Sequence, residues 1–492
     1  QHVHVVAVDG TDSPRNLTPG AFQHEGVAWL RDSSGIVTSA ARHDTWDMDL
    51  ASDLYVVPLD GEIRALTEQT GMYSHPSPSP DGSLIAFLGA DQSMLYPQNQ
   101  KVGVIGLDGS DRRWISDGLD RTFAPTNCAT PPVWVDDETI LAAAEDRGET
   151  HVYRLTLGRD TPEPVTSGPI TVTGFDHADG CLVTTRSSVV APADLWTGWG
   201  DDATRTTHVA RAFRGWEKFQ VPCADGSGDI DVWVMLPDGT DGADGDGDGA
   251  GFPVLLDVHG GPFTQYGEYF LDEAQMQAEA GFVVVLCNPR GGSGRDTAWG
   301  HAILGPKHPL VDGGTGWGTV DVDDVMSALD GALDRFDLCD RDRVGMLGGS
   351  YGGYMATMLA ARHGDRFRAI CSERAVNNLL TEEWSSDIGS MFRVEHGPDP
   401  VEDPDEYLRM SPSRFARDIH VPMLIIHSEE DWRCPINQAE ELWMTLKFLG
   451  RDVTFYRFPG ENHELSRSGS PVHRQMRAEI ILDFFAEHLD VG

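Results

Sequence analysis

Over the first 215 or so residues the apolar positions fall in short β-rich runs punctuated by Asp-Gly and related turns. One run, Val3-His4-Val5-Val6-Ala7-Val8-Asp9-Gly10, recurs starting at Leu54 and at Val102, and more weakly at Val152, about 50 residues apart each time. A second signature, a turn feeding a short apolar strand, lies between them: Trp29 to Val37, Pro80 to Phe87, Trp134 to Leu141 and Phe175 to Val183. Two independent signatures recurring in the same order at this period predict the blades of a β-propeller. A β-sandwich with accidental internal similarity is the alternative. The stretch has room for about five blades, so the propeller is expected to be incomplete.

Beyond residue 215 the pattern changes to apolar runs alternating with helical spacing. Val254 to Val258, Phe282 to Leu286, Val344 to Leu347, Ala369 to Cys371 and Met423 to His427 read as buried strands. Val320 to Leu333 and Gln438 to Leu449 read as helices. Strands and helices in alternation predict a mostly parallel sheet covered by helices. The expected division is therefore an all-β propeller over 1–214 and an α/β domain over 215–492, read below as an α/β-hydrolase domain from the motifs it carries. The Asp- and Gly-rich tract Asp238 to Gly251 has nothing to bury and is expected to be a solvated loop; its spacing is not that of a calcium loop.

Charge narrows the partners. The 492 residues carry 78 acidic and 37 basic side chains, a net charge of −41, and only Lys101, Lys218, Lys307 and Lys447 are lysines. Such a surface repels nucleic acid and anionic lipid, so neither is an expected partner. The acids are spread along the whole chain, which fits a halophilic protein whose hydrated carboxylates are screened by concentrated cations better than one local patch for a basic partner. Seven cysteines stand singly, with no Cys-x-x-Cys pair and no clustering with histidine. They read as reduced, mostly buried thiols of a cytoplasmic protein, with no disulfide framework and no metal site. No apolar run approaches the roughly 20 residues needed to cross a bilayer. The chain begins at Gln1, so a processed or truncated N-terminus is one expectation.

The candidate chemistry lies in the second half. Gly348-Gly349-Ser350-Tyr351-Gly352 fits the Gly-x-Ser-x-Gly elbow, with a strand before it and a helix expected from about Tyr354 to Arg362 after it. Glycines at both ends let the chain turn sharply and lift the serine hydroxyl clear of the sheet. His259-Gly260-Gly261-Pro262 follows the strand Val254 to Val258 and offers a backbone N–H, favoured at Gly261, to pair with that of Tyr351 as an oxyanion hole. His259 itself reads as a residue that orients its loop. Met423 to Asp431 is a buried strand ending in acids, and Tyr456 to His463 is a strand ending in a loop histidine. Ser350, Asp431 and His463 thus follow the chain order Ser, Asp, His of α/β-hydrolases, with Glu429 and Glu430 as rival acids. Val376, Trp384, Ile388, Met391 and Phe392, helically spaced from Trp384 on, read either as the lining of an apolar pocket beside Ser350 or as ordinary core.

From about Phe219 to Leu489 the chain resembles the catalytic domain of the prolyl oligopeptidase family of serine peptidases, closest to its acylaminoacyl-peptidase branch. The resemblance rests on His259 to Pro262, Asn288-Pro289-Arg290-Gly291-Gly292-Ser293-Gly294, Gly348 to Gly353, Asp431-Trp432-Arg433-Cys434-Pro435 and Gly460-Glu461-Asn462-His463. It implies a catalytic domain carried on a β-propeller, an acyl-enzyme mechanism on short peptides, acylaminoacyl- or dipeptidyl-peptidase-like, and no cofactor. It also implies that Arg433 binds a backbone carbonyl of the substrate; a plain salt bridge of Arg433 to Glu429 or Glu430 is the competing expectation. Relatives carry seven or eight blades, more than this chain has room for. A carboxylesterase would use the same triad, and self-association into a homo-oligomer stays open.

Overall fold

The computed structural model describes residues 1–208, 213–239 and 251–491, so residues 240–250 of the Asp- and Gly-rich tract lie outside the described residues. The chain divides into two compact units. The first comprises Gln1–Arg211 with Gly267–Phe270 and Ser293–Thr297; the second comprises Ala212–Tyr266, Leu271–Gly292 and Ala298–Gly492.

In the first unit the repeat pattern becomes four antiparallel four-stranded meanders and a short ribbon, His4–Val5 paired with Arg15–Asn16. The meanders run His24–Trp29 to Arg64–Ala65, Met72–Pro78 to Arg113–Trp114, Val133–Trp134 to Glu163–Pro164, and Thr171–Ala178 to Thr204–Arg205. The third and fourth are joined by one parallel bridge, Thr150 to Thr171. Their tight turns share one device. The side chain of an aspartate accepts the backbone N–H two residues on, at Asp9, Asp32, Asp81, Asp108 and Asp136, with N···O distances of 2.9 to 3.0 Å. Successive sheets stack face to face. Val37, Leu54 and Val56 pack with Ile85 and Phe87, then Leu88 and Val104 with Ile140 and Leu155, then Leu141 and Val152 with Val172 and Leu182. Strands of the second and third meanders supply one face to the sheet before and the opposite face to the sheet after, as in a β-propeller.

The second unit is an α/β-hydrolase sheet of eight strands: β1 Glu217–Pro222, β2 Asp229–Met235, β3 Phe252–Val258, β4 Val283–Asn288, β5 Cys339–Gly349, β6 Ala369–Glu373, β7 Met423–Ser428 and β8 Val453–Phe458. Their order is β1-β2-β4-β3-β5-β6-β7-β8. β1 to β2 and β2 to β4 are antiparallel, and all other pairs are parallel. The apolar runs are continuous because both faces are covered. Val254, Leu256, Met423 and Ile425 point into the core that holds helices Val320–Arg335, Tyr351–Arg362 and Asn437–Phe448. Leu255, Leu424 and Ile426 point into the opposite core, under helix Pro471–His488. The helix after Ser350 starts at Tyr351, earlier than the expected Tyr354, because the turn at Ser350 passes straight into it. The strands Glu217–Pro222 and Asp229–Met235 and the C-terminal helix carried no distinct signal in the sequence pattern.

The helical spacing expected from Trp384 through Phe392 is broken. Leu379–Ser385 and Gly389–His396 are separate helices. The break is held by Ser386 Oγ, which donates to the Arg433 carbonyl at 2.6 Å, and by Asp387 N, which donates to the Trp432 carbonyl at 2.9 Å.

Candidate active site

The site is built on the carboxyl ends of parallel strands, where the register brings loops together. Val258 of β3 pairs with Gly348 of β5, Gly349 with Glu373 of β6, Glu373 with Ile426 of β7, and Ser428 with Phe458 of β8. Ser350 follows β5 directly and sits at φ 61°, ψ −120°, a conformation unfavourable for a residue with a side chain by roughly 1–3 kcal/mol. Surrounding bonds enforce it: Ser350 N donates to the Glu373 carbonyl at 3.0 Å, and Tyr354 N donates to the Ser350 carbonyl at 2.9 Å. The flanking glycines are required by close approach. A Cβ on Gly348 would lie 2.6 Å from the Gly352 carbonyl and 2.7 Å from that of Val258, and one on Gly352 would collide with the Val258 carbonyl.

The turn that follows β3 lies beside the elbow at Ser350. Gly260 packs against Ser350, whose Cβ would be 3.4 Å from a Cβ built on that glycine. The Gly260 carbonyl accepts from Thr264 Oγ1 at 2.7 Å and lies 2.6 Å from His259 Nδ1. In a planar trans peptide this turns the Gly261 N–H to the opposite side. The Tyr351 N–H opens the helix, and its side chain is anchored by a 2.6 Å bond to buried Asp321 and by an edge-on contact with Trp317. His259 is buried, its imidazole lowered to about 4 by burial, so it is neutral and shapes the loop.

Asp431 and His463 are joined. Nδ1 of His463 donates to Oδ2 of Asp431 at 2.8 Å, with both side chains buried. That bond fixes the tautomer and leaves Nε2 as the proton acceptor. Oδ1 of Asp431 accepts from the backbone N–H groups of Arg433 at 3.0 Å and Cys434 at 2.9 Å. The rival acids are elsewhere: Glu429 and Glu430 are exposed, and Glu429 pairs with Arg457. Burial lowers the His463 imidazole below its ordinary value, opposed by Asp431 and reinforced by Arg374 and Arg467.

The Arg433 guanidinium binds neither Glu429 nor Glu430. Nε donates to Asp387 Oδ1 at 2.7 Å and Nη2 to Oδ2 at 3.4 Å, and the pair is half exposed. This replaces the expected partners, which sit beside Arg433 in sequence but on the far side of a tight turn. Of the candidate pocket residues, Val376 and Phe392 are buried and belong, with partly buried Ile388, to the main core. Phe392 packs on Trp317 at 6.0 Å. Met391 is half-buried and Trp384 is exposed, so these five do not form one stripe.

A model of the prolyl oligopeptidase family matches residues 268–492. Residues 268–492 are a prolyl oligopeptidase family domain. The chain is also similar to an uncharacterized peptidase, YuxL, of Bacillus subtilis, 31% identical over 374 residues, covering 73% of this chain and 53% of that protein. Dipeptidyl-peptidase 5 of Porphyromonas gingivalis is 25% identical over 466 residues, covering 89% of this chain and 64% of that protein. The chain thus spans less than two thirds of the length of these curated relatives. Among solved structures, the uncomplexed acylaminoacyl peptidase of Pyrococcus horikoshii aligns with a TM-score of 0.83 at 26% identity, covering 99% of this chain and 74% of that one.

Several groups of the prolyl oligopeptidase domain escaped the motif reading. Buried Arg477 pairs with both Glu373 and Glu273, and against the upward push of burial, Arg477 and Arg374 hold Glu373 down to about 2. His427 donates from Nε2 to the Cys434 carbonyl at 2.6 Å and braces the turn that carries Asp431. Cys434 is buried; its backbone N–H donates to Asp431 Oδ1 at 2.9 Å and its carbonyl accepts from His427 Nε2. Only the Cys434 position was foreshadowed, inside the Asp431 motif. No helix among the described residues is long and apolar enough to cross a membrane.

Proposed function

We propose that this chain is a serine peptidase that hydrolyses short peptides through an acyl-enzyme, with Ser350 as nucleophile, His463 as general base and Asp431 as its orienting acid. The observation that carries it is the 2.8 Å bond from His463 to Asp431, at the same sheet edge as a serine held in a strained, glycine-flanked elbow. In the first half-reaction Nε2 of His463 takes the Ser350 hydroxyl proton as Oγ attacks the scissile carbonyl. The N–H groups of Gly261 and Tyr351 receive the oxyanion, and the departing amine leaves with the proton from His463. Water, activated by the same imidazole, then releases the acyl group. Arg433 offers a charged donor for a substrate carbonyl once its hold on Asp387 loosens. No cofactor enters these steps.

The substrate class is supported by the relatives, which are named as a peptidase, a dipeptidyl-peptidase and an acylaminoacyl peptidase. The four meanders and the N-terminal ribbon we read as an incomplete propeller of about five blades over residues 1–214, with the hydrolase domain over 215–492. A cytoplasmic location is supported by seven unpaired cysteines, six of them buried. The net charge of −41 argues against nucleic acid and anionic membranes as partners.

The test is covalent labelling with a fluorophosphonate, followed by turnover of blocked and free aminoacyl anilides. Labelling is expected at Ser350 alone, and Ser350→Ala and His463→Ala should each lower kcat by several orders of magnitude. Near-normal turnover in either variant overturns the assignment.

A further inference from the structure

Asp257 breaks the pattern of the strand that carries it. β3 runs Phe252–Val258, and Val254, Leu255, Leu256 and Val258 are apolar and fully buried, whereas Asp257 is a carboxyl with only 4% exposure. A buried carboxyl is costly, and a sequence that keeps one inside an apolar strand breaks a folding rule in the way functional sites do. Burial first, and Glu273 second, push it up to about 7, with Tyr266, Gln277 and Arg477 opposing. Both of its oxygens are engaged. Oδ1 accepts from the Tyr266 hydroxyl at 2.8 Å and Oδ2 from Gln277 Nε2 at 3.1 Å.

The Tyr266 bond leads to the turn beside Ser350. Tyr266 is held at three points: its hydroxyl by Asp257, its N–H by Asn288 Oδ1 and its carbonyl by Asn288 Nδ2, each at 2.8 Å. The phenol ring so fixed meets the His259 imidazole edge-on, with centroids 5.3 Å apart and planes at 86°. Nδ1 of His259 in turn donates to the Gly260 carbonyl at 2.6 Å. That carbonyl and the Gly261 N–H belong to one planar peptide, so when one swings the other swings with it. Glycines on both sides give this peptide little conformational restraint of its own. Its position matters, because a Cβ on Gly260 would lie 3.4 Å from the Ser350 Cβ, and Gly261 is exposed.

We propose that Tyr266, anchored by Asp257, is a positioning residue for the oxyanion hole: through His259 it keeps the Gly261 N–H turned towards the carbonyl that Ser350 attacks. This rests on the acyl-enzyme part of the proposed function. Thr264 Oγ1 also donates to the Gly260 carbonyl, at 2.7 Å, but nothing beyond the turn is shown to hold it in the same way. Tyr266 is tied to β3 through Asp257 and to β4 through Asn288, so it refers the turn to the sheet.

The test compares N-acetyl-aminoacyl nitrophenyl esters and the matching nitroanilides, each rate normalised to fluorophosphonate-titrated Ser350. Losing a whole oxyanion-hole donor costs about a hundredfold to a thousandfold in kcat. Tyr266→Phe keeps the ring and loses only its anchor, so kcat should fall by about tenfold, and Tyr266→Leu should approach a hundredfold, with KM little changed in both. Asp257→Leu should resemble Tyr266→Phe, while Asp257→Asn, which still accepts from the Tyr266 hydroxyl, should recover most of that loss. A peptidyl trifluoromethyl ketone gives a readout that loosened packing alone does not move. Ser350 Oγ adds to its carbonyl carbon, the hydroxyl proton passes to His463, and the ketone oxygen becomes an oxyanion in the hole. Its Ki should rise in step with the fall in kcat, whereas the Ki of the matching alcohol, which forms no oxyanion, should hold. Unchanged kcat in Tyr266→Phe and Tyr266→Leu, or equal weakening of ketone and alcohol, overturns the proposal. Should the Tyr266 variants fail to fold, Asp257→Leu against Asp257→Asn carries the same comparison. Ester cleavage with no anilide turnover would sink the peptidase reading and leave the positioning role standing. A wild-type protein that neither takes the label nor cleaves an ester overturns both.

Discussion

The guanidinium of Arg374 lies against the backbone of Gly349, with Cζ and Nη2 each 2.6 Å from where a glycine Cβ would sit. Arg374 adopts φ 38°, its side chain is about nine-tenths buried, and Nε and Nη1 have no hydrogen-bond partner. Nη1 is 3.0 Å from Glu373 Oε1. A poorly solvated positive charge under the elbow at Ser350 acts on the His463 imidazole. His463 is lowered mainly by burial, with Asp431 opposing and Arg374 and Arg467 adding to the fall.

The consequence is a pH profile. In the proposed mechanism catalysis needs neutral His463, so the acid limb of kcat/KM should lie below the ordinary imidazole value of about 6.5. Arg374→Met removes a charge that disfavours the imidazolium and should move that limb to higher pH, with activity above pH 8 reduced much less than activity near pH 6. A limb that stays in place would show that Arg374 only packs against the elbow.

Arg433 is tied to Asp387 through a half-exposed pair. Exposed pairs of this kind contribute little to stability, about 0–1 kcal/mol, so the arginine is free to exchange Asp387 for a substrate carbonyl. Arg433→Ala should reduce kcat/KM for peptides by about tenfold to a hundredfold, and for a small ester lacking that carbonyl far less. Equal losses on both would mean that Arg433 supports the Asp431 turn. Asp387→Asn tests the exchange from the other side: by releasing the guanidinium it should preserve or improve peptide turnover.

Ser350, Asp431 and His463 were legible in the sequence because each follows an apolar strand at a loop with a recognisable spacing, and parallel strands bring such ends together whatever lies between them. The repeated strands of the first unit were legible for a similar reason: aspartate turns are local chemistry. Arg374 was not, since it follows an ordinary strand and its significance comes from Gly349 and His463, 25 and 89 positions away, which only the fold brings near. The Trp384 to Phe392 stripe misled because periodicity cannot register two hydrogen bonds to Trp432 and Arg433 that pull the chain out of helix. Asp387, part of that same break, is also the partner that Arg433 takes in place of its sequence neighbours.

Glu395 gives a stability test with a definite sign. It is buried, its Oε1 accepts from Trp317 Nε1 at 2.8 Å, and burial pushes its carboxyl up to about 8. In the unfolded chain it ionises near 4.3, so between those values the folded state holds a proton that the unfolded state has lost. Folding stability attributable to this group therefore falls as pH rises from about 4.3 to 8. Glu395→Gln keeps the acceptor and removes the titration. Its unfolding midpoint in urea should exceed that of the wild type at pH 8, with the gap closing towards pH 5. A gap of the same size at both values would assign the effect to packing.

The acidic surface sets the last expectation. With 78 acidic against 37 basic residues, like charges outnumber their partners throughout the chain, and pairs such as Arg433 with Asp387 or Arg457 with Glu429 neutralise only a minority. The Debye length shrinks from about 30 Å at 0.01 M salt to about 3 Å at 1 M. At low ionic strength each carboxylate therefore feels repulsion from many others, whereas at molar salt it feels only its immediate neighbours. The repulsion opposes the compact state more than the expanded one, so Tm should climb steeply between 0.01 M and 1 M potassium chloride. Sodium chloride should act alike at equal ionic strength if screening is the cause, while a non-ionic osmolyte of the same osmolarity should do much less. A flat Tm across the potassium chloride series would overturn the screening account and point to the acidic surface as a site for a basic partner instead.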